Sequence, residues 1–422
     1  MKKSHLLFLM LLVSINLFSQ SWTEQFSGIT TGLQSISAVD DNIAWACGAS
    51  GKVIKTTNKG VNWINVSGNV PTVLTLLNIY AKDENIALVT GVSVQYTVIY
   101  HTSNGGLNWT EANVHVGLGD FLWMTSSTDA YFIGDVTSGN WDLLKSTNGG
   151  LNWSVWSVLP ENNGVGSDAN GPCFVGQQVW FGVSGGSKLM YSSNMGTNWV
   201  TQTTPIGATG CICFVSPTKG MAAGTSNHPG LILTTNSGTN WVVVTNPYSG
   251  YNIAGICYMN SAWFIANGFQ SPCGISISSN DGATWTTSYT SPVSLSCMSK
   301  SRSGSTIWAV GANGGISRYG TPIIGINSNS TELPSDFALK QNYPNPFNPT
   351  TNIKYQVANN KFITLKVFDI LGKEVAVLVN QKRNAGEYEV IFDGENLSSG
   401  MYYYVLYADG KKIDTKKMLM VK

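Results

Sequence analysis

The chain has 422 residues with a formal net charge of +1, 45 Gly, 14 Trp and 17 Tyr, yet only 11% charged side chains. That length is too great for one ordinary core, and the composition suits turn-rich β-structure rather than helices. Charge is unevenly spread: residues 20–339 hold ten Lys and Arg against fifteen Asp and Glu, a net of −5, while residues 340–422 hold twelve against eight, a net of +4. An acidic larger part argues against nucleic acid as a partner.

In chain order, Lys2 and Lys3 precede an apolar run from Leu6 to Val13, and Leu17-Phe18-Ser19 stands just before Gln20. This pattern predicts a signal peptide over residues 1–19. The run is too short to span a membrane, and no other stretch is long enough, so no transmembrane segment is expected in the mature chain. Seven Cys in an exported chain is an odd number, so at least one thiol is free or pairs between molecules. Cys173, Cys213, Cys257 and Cys297 recur near the start of repeated units, where buried thiols are expected in preference to disulfides.

From Thr56 to Trp63 the sequence reads TTNKGVNW, and it is rewritten five times: TSNGGLNW ending at Trp109, STNGGLNW at Trp153, SSNMGTNW at Trp199, TTNSGTNW at Trp241 and SSNDGATW at Trp285. A hydroxyl, an Asn, a Gly and a Trp keep their offsets, giving Asn58, Gly60 and Trp63; Asn104, Gly106 and Trp109; Asn148, Gly150 and Trp153; Asn194, Gly196 and Trp199; Asn236, Gly238 and Trp241; Asn280, Gly282 and Trp285. The Asn oxygen suits the acceptor of an Asx turn, the Gly supplies a positive φ, and the Trp opens the next strand as an apolar wedge. All eighteen are read as structural. The Trp intervals of 46, 44, 46, 42 and 44 residues match one four-stranded propeller blade.

Within a unit, Leu33 to Ala38, the turn at Asp40-Asp41-Asn42, Ile43 to Gly48 and Gly51 to Thr56 lead into the box, and later units repeat the order. Asp40, Asp41, Asp83, Glu84 and Asp129 are expected to be solvated turn acids. Trp22 to Gln25 looks like a strand that follows a box, and Gly315 to Tyr319 like the third strand of a unit lacking its fourth. Pairing the two closes a ring of seven units.

The boxes resemble the Asp-box, or BNR, repeat of sialidase-like and sortilin-like propellers, with Asn where most copies have Asp. The resemblance covers about residues 22 to 320 and implies a peripheral hairpin remote from any active centre. The seven-unit plan is also similar to that of propellers related to the photosystem II assembly factor family, which act by binding proteins. That family's Arg-rich patch is missing here, so its client does not carry over.

Residues 321–336 read as a linker, and 337–422 as a second module without Trp or Cys. Phe362 to Val367, Glu387 to Phe392 and Met401 to Tyr407 have the patterning of sandwich strands. The stretch Leu339 to Thr351 (LKQNYPNPFNPTT), then Val367 to Val375 (VFDILGKEV), Leu397 to Tyr404 (LSSGMYYY) and Lys416-Lys417-Met418 resemble the type A C-terminal sorting domain of type IX secretion. That resemblance implies handling by the type IX machinery through residues 337–422 and a location outside a Gram-negative cell, surface-attached or released. The fold class expected for the whole is all-β: a seven-bladed β-propeller over residues 20–320, followed by a small immunoglobulin-like β-sandwich.

Chemistry is sparse. Sialidases of the resembled family grip the substrate carboxylate with three Arg, and this propeller holds only Arg302 and Arg318. Glu111, Asp120, Asp135, Asp142, Glu161 and Asp168 are loop acids from which a glycoside hydrolase or lyase could draw a carboxylate pair. His101, His115 and His228 have no metal-ligand spacing, and no cofactor motif is present. The favoured reading is a non-catalytic module for an unknown protein or glycan, binding on the face that carries the long variable loops. Trp141, Trp156, Tyr248 and Tyr251 are its candidate contacts, because aromatic side chains suit both sugars and protein hot spots. Packing of the two Trp inside their own blades is the competing reading.

Overall fold

The computed structural model describes residues 20–93, 97–112, 119–137, 140–159, 171–183, 186–207, 209–224, 230–248, 253–268, 273–321, 336–383, 386–395 and 397–421. The expected leader at 1–19 and nearly all of the expected linker lie outside them. The chain divides into two compact units between residues 323 and 324. Among the described residues, no helix is long and apolar enough to cross a membrane.

In the first unit the described strands form seven four-stranded antiparallel sheets. Six are sequential meanders, such as Leu33–Ala38, Ala44–Gly48, Val53–Thr56 and Ile64–Asn65. The seventh joins Leu295–Lys300, Ile307–Gly311 and Ile316–Gly320 to the amino-terminal Ser21–Gln25, with Trp22 opposite Tyr319 and Gln25 opposite Ile316. The first strand of each sheet is innermost. Leu33–Ala38 lies beside both Thr75–Ala81 and Leu295–Lys300, so the sheets form a closed β-propeller.

Second strands are largely buried, and four carry fully buried indoles at Trp45, Trp180, Trp263 and Trp308. Two of these Nε1–H groups reach the neighbouring sheet, Trp45 to the Asp83 carbonyl and Trp180 to the Ser237 carbonyl at 3.1 Å each, while Trp308 donates within the closing sheet to Gln25 Oε1 at 3.3 Å. The indole therefore fills the gap between sheets while its one polar atom is satisfied.

Neighbouring innermost strands are tied by side chains. The Ala38 N–H donates to Ser299 Oγ at 3.2 Å, Ala81 N–H to Ser37 Oγ at 3.0 Å, Leu122 N–H to Asn78 Oδ1 at 3.3 Å and Phe214 N–H to Cys173 Sγ at 3.1 Å. These bonds occupy donors on the inner edges of four of the sheets, which would otherwise be left unpaired. Cys47, Cys173, Cys213, Cys257 and Cys297 are free thiols. Burial raises the pKa of Cys173 to about 11 and that of Cys257 to about 12. A protonated thiol is a poor nucleophile, so these side chains pack and bond rather than react.

The six boxes share one geometry. The hydroxyl of the first residue accepts the N–H of the Gly four residues on at 2.8–3.0 Å. It also donates to the Asn Oδ1, which in turn accepts the N–H just before the Trp at 2.9–3.0 Å. Gly150 has φ +94°, and a Cβ there would meet Leu88 Cδ2 at 2.4 Å, so left-handed backbone and close approach to the preceding sheet both demand glycine. Replacing the buried hydroxyl of one box, as in Thr102→Ala, orphans the Gly106 N–H and is expected to cost about 1–3 kcal/mol. A urea titration that leaves the unfolding midpoint unchanged would refute this account of the hairpin.

The turn acids differ from expectation. Asp40 Oδ1 accepts the N–H groups of Asn42 and Ile43, and Asp83 Oδ1 does the same for Asn85 and Ile86. Asp41 reaches across the closure, accepting from Ser301 Oγ and the Ser305 N–H at 2.8 Å each. Burial works to raise its pKa, but bonds from Thr306, Ser301 and Ser305 and the charge of Arg318 outweigh it, and the carboxyl lies below the ordinary aspartate value. These acids hold turns together rather than merely face water.

The second unit is a β-sandwich. Its sheets are Ala338–Leu339, Thr350–Val357 and Gly386–Asp393 on one side, and Glu374–Arg383, Lys361–Phe368, Gly400–Ala408 and Lys411–Met420 on the other. Alternating residues of both enter one core with Ile353, Tyr355, Leu365, Val367, Tyr404 and Leu406. The proline-rich segment before Thr350 is stitched to it. Tyr404 Oη donates to the Lys340 carbonyl at 2.8 Å and accepts the Asn342 N–H at 2.7 Å, while Asn345 Oδ1 accepts the Leu419 N–H at 2.9 Å.

Candidate binding site

The innermost strands enclose a central cavity of about 460 Å³, lined from all seven sheets. It runs along the later halves of these strands and ends at Tyr80, Trp123, Tyr258, Lys300 and Arg302. Those strand ends lead into the first turns, and five boxes bond to the same turns, for example Lys59 N–H to the Asn42 carbonyl and Gly105 N–H to the Asn85 carbonyl. The cavity therefore approaches the box-bearing side, whereas the sequence directed attention to the opposite loops.

Two cations mark this end. Lys300 Nζ donates to the Ser301 carbonyl at 2.9 Å and the Gly304 carbonyl at 3.1 Å. The Arg302 guanidinium donates to the Ala81 and Lys82 carbonyls and to Ser37 Oγ, and sits 4.7 Å from the Tyr80 ring centroid. The aromatic walls pack on one another. Trp123 lies 5.0 Å from Tyr80 and stacks on Phe174 at 4.8 Å and 13°, and Tyr258 leans on Trp263 at 4.8 Å. No Asp or Glu lines the cavity among the described residues.

The residues singled out from sequence sit elsewhere. Trp141 is buried between sheets, 5.8 Å from Phe181. Trp156 packs against Tyr131 and Trp199 and donates from Nε1 to the Met195 carbonyl at 2.9 Å. Tyr248 is half-buried, with its hydroxyl bonded to Ser276 Oγ at 2.9 Å. None of the three lines the cavity, and Tyr251 lies outside the described residues. His115, Glu161, Asp168 and His228 also lie outside them. Of the described loop acids, Glu111 accepts the Tyr100 hydroxyl at 2.7 Å, while Asp135 and Asp142 sit on consecutive strands of one sheet.

Arg318 is not a partner for Arg302. It is buried in the closing sheet, 5.7 Å from the Trp308 ring, donating to the Thr321 carbonyl at 3.0 Å and to Thr306 Oγ1 at 3.3 Å. Lys300 was not singled out from the sequence. The available signal lay where the seventh unit's first strand ends: Lys300 stands at the place of Ala38 and Ala81, and Arg302 at that of Asp40 and Asp83. Among the described residues, no group of three or more His, Cys, Asp or Glu is placed to hold a metal ion.

Residues 341–422 match the family described as secretion system C-terminal sorting domain. No curated protein matches the chain. Among solved structures it is similar to YCF48 bound to D1 peptide, at 15% identity and a TM-score of 0.58 over 71% of this chain and 97% of that one. YCF48 from Cyanidioschyzon merolae gives 18% and 0.55 over 71% and 98%, and the WD40 β-propeller domain of Doa1 gives 13% and 0.51 over 71% and 98%. At these identities the likeness is one of fold.

Proposed function

We propose that this chain is an exported, non-catalytic β-propeller of Asp-box type with seven blades, delivered outside a Gram-negative cell by type IX secretion, that binds its ligand in the central cavity near the boxes. Residues 1–19 act as the leader, 20–320 as the binding module, 321–336 as a linker and 337–422 as the sorting domain. The observation carrying the binding reading is the cavity itself: a recess of ligand size, floored by rigid strands and bordered by two fixed cations, with no carboxylate in its described lining. Acid and base carboxylates are what glycoside hydrolysis requires, so an enzyme would have to draw its pair from the loop acids outside this cavity. One propeller of similar fold, YCF48, is a peptide complex, which makes a protein ligand a natural first trial.

A glycan and peptide array on the purified protein, run beside a reducing-sugar assay on every glycan bound, separates the alternatives. Saturable binding without sugar release is the expected result. Sustained release of reducing ends from any glycan would replace the binding module with an enzyme.

A further inference from the structure

We propose that the central cavity receives an acidic peptide, with a side-chain or terminal carboxylate docking against Lys300 and Arg302. This rests on the binding reading above and adds the chemistry of the ligand. Both cations have their geometry satisfied by carbonyl and hydroxyl oxygens, which orient an N–H but leave its positive charge uncancelled. Among the described residues, neither forms an ion pair with a carboxylate. The acids whose charge reaches Arg302 are Asp40 and Asp83, and each already spends an oxygen on two backbone N–H groups of its own turn. Lys300 uses two of its three donors and Arg302 three of its five, so both keep donors for a ligand.

The tethering also matters. Long basic side chains normally surrender rotamer freedom when they bind, and here the carbonyls have already fixed them, so an incoming carboxylate meets a preorganised pair. The walls argue against a neutral sugar, which would need an open aromatic face. One face of Tyr80 carries the Arg302 guanidinium, Trp123 is stacked on Phe174, and Tyr258 leans on Trp263 with Lys219 Nζ 5.8 Å from its centroid. With these contacts made, the two cations are the strongest recognition groups the lining offers.

The test uses the full chain with three probes: hexaglutamate, hexaglutamine, and an oligogalacturonate of equal charge. Calorimetry measures affinity, and the part of the fluorescence change abolished by Trp123→Phe reports occupancy of the cavity. Hexaglutamate is expected to bind at least tenfold more tightly than either other probe and to weaken as salt rises. Lys300→Gln and Arg302→Gln are each expected to weaken it about tenfold, the loss of one charge-assisted contact, while Lys412→Gln in the other unit leaves it unchanged. Thermal midpoints verify folding; if Arg302→Gln unfolds the neighbouring turn, Lys300→Gln decides. Equal affinity for the uronate, or indifference of hexaglutamate binding to Lys300→Gln, overturns the acidic-peptide assignment. Hexaglutamine that matches hexaglutamate and still perturbs Trp123 removes this inference but keeps the binding cavity. Failure of every probe, with the arrays above also blank, removes both.

Discussion

A chain ending at residue 336 is expected to be made, folded and then stranded in the periplasm, with its appearance at the cell surface or in the medium reduced to background. The reasoning is that the deleted part is a separate unit. The chain divides between residues 323 and 324, and all seven four-stranded sheets of the propeller are complete by Gly320, so the cut removes no strand from the ring. Loss of export would then reflect loss of the address rather than misfolding. Fractionation with an antibody to the propeller, alongside a melting curve of the retained protein, reads both quantities. Truncated protein reaching the exterior at the level of the full chain would dismiss residues 337–422 as the export signal. A milder variant makes the same point within the intact fold: Tyr404→Phe leaves the Lys340 carbonyl and the Asn342 N–H without their shared partner, which weakens the proline-rich signature by about 1–3 kcal/mol.

Removing the first strand should have the largest effect on stability. A chain beginning at residue 27 lacks Ser21–Gln25 and so leaves Ile316–Gly320 as a bare edge. It also loses Trp22, which packs 5.3 Å from both Tyr289 and Tyr319, and Gln25, whose Oε1 accepts from Trp63 and Trp308 and whose Nε2 donates to the Lys59 carbonyl. A fully buried indole is worth about 3–5 kcal/mol when removed and the half-buried Trp22 somewhat less, and the indole N–H groups of Trp63 and Trp308 are orphaned besides. The expected loss is therefore on the order of 5 kcal/mol, with aggregation through the exposed edge. Chemical denaturation and light scattering check it. A truncated protein that melts with the intact one would show that the ring does not depend on this closure.

The parts of this architecture set by local rules could be read directly. A box is a hydroxyl, an Asn and a Gly at fixed offsets, each used by its own hairpin, so Thr56, Asn58 and Gly60 announce their geometry without help from distant residues. The partnership of Ser21–Gln25 with Ile316–Gly320 could also be inferred, because each end displayed a unit with one strand missing. The buried Trp45, Trp180, Trp263 and Trp308 went unremarked because no fixed motif surrounds them; their role appears only when two sheets face each other. The role of Asp41 is hidden for a similar reason, since Ser301 and Ser305, which hold it, lie some 260 positions away. The cavity was the hardest feature to anticipate. Its cations come from the end of one strand and the turn that follows, and their significance depends on oxygens such as the Ala81 carbonyl, contributed by another sheet.

Thr23 and Arg318 stand 295 positions apart yet are joined in one sheet. Ser21–Gln25 thus finds its partner only in the final strand of the ring, so this pairing cannot form until the two ends of the propeller have come together. A partner so distant in sequence makes this closing step slow relative to hairpin formation, leaving the half-built ring exposed to proteases and to pairing with other chains. Until the pairing is made, the outer edge of Ile316–Gly320 stays open, and that edge is where assistance during transit would act.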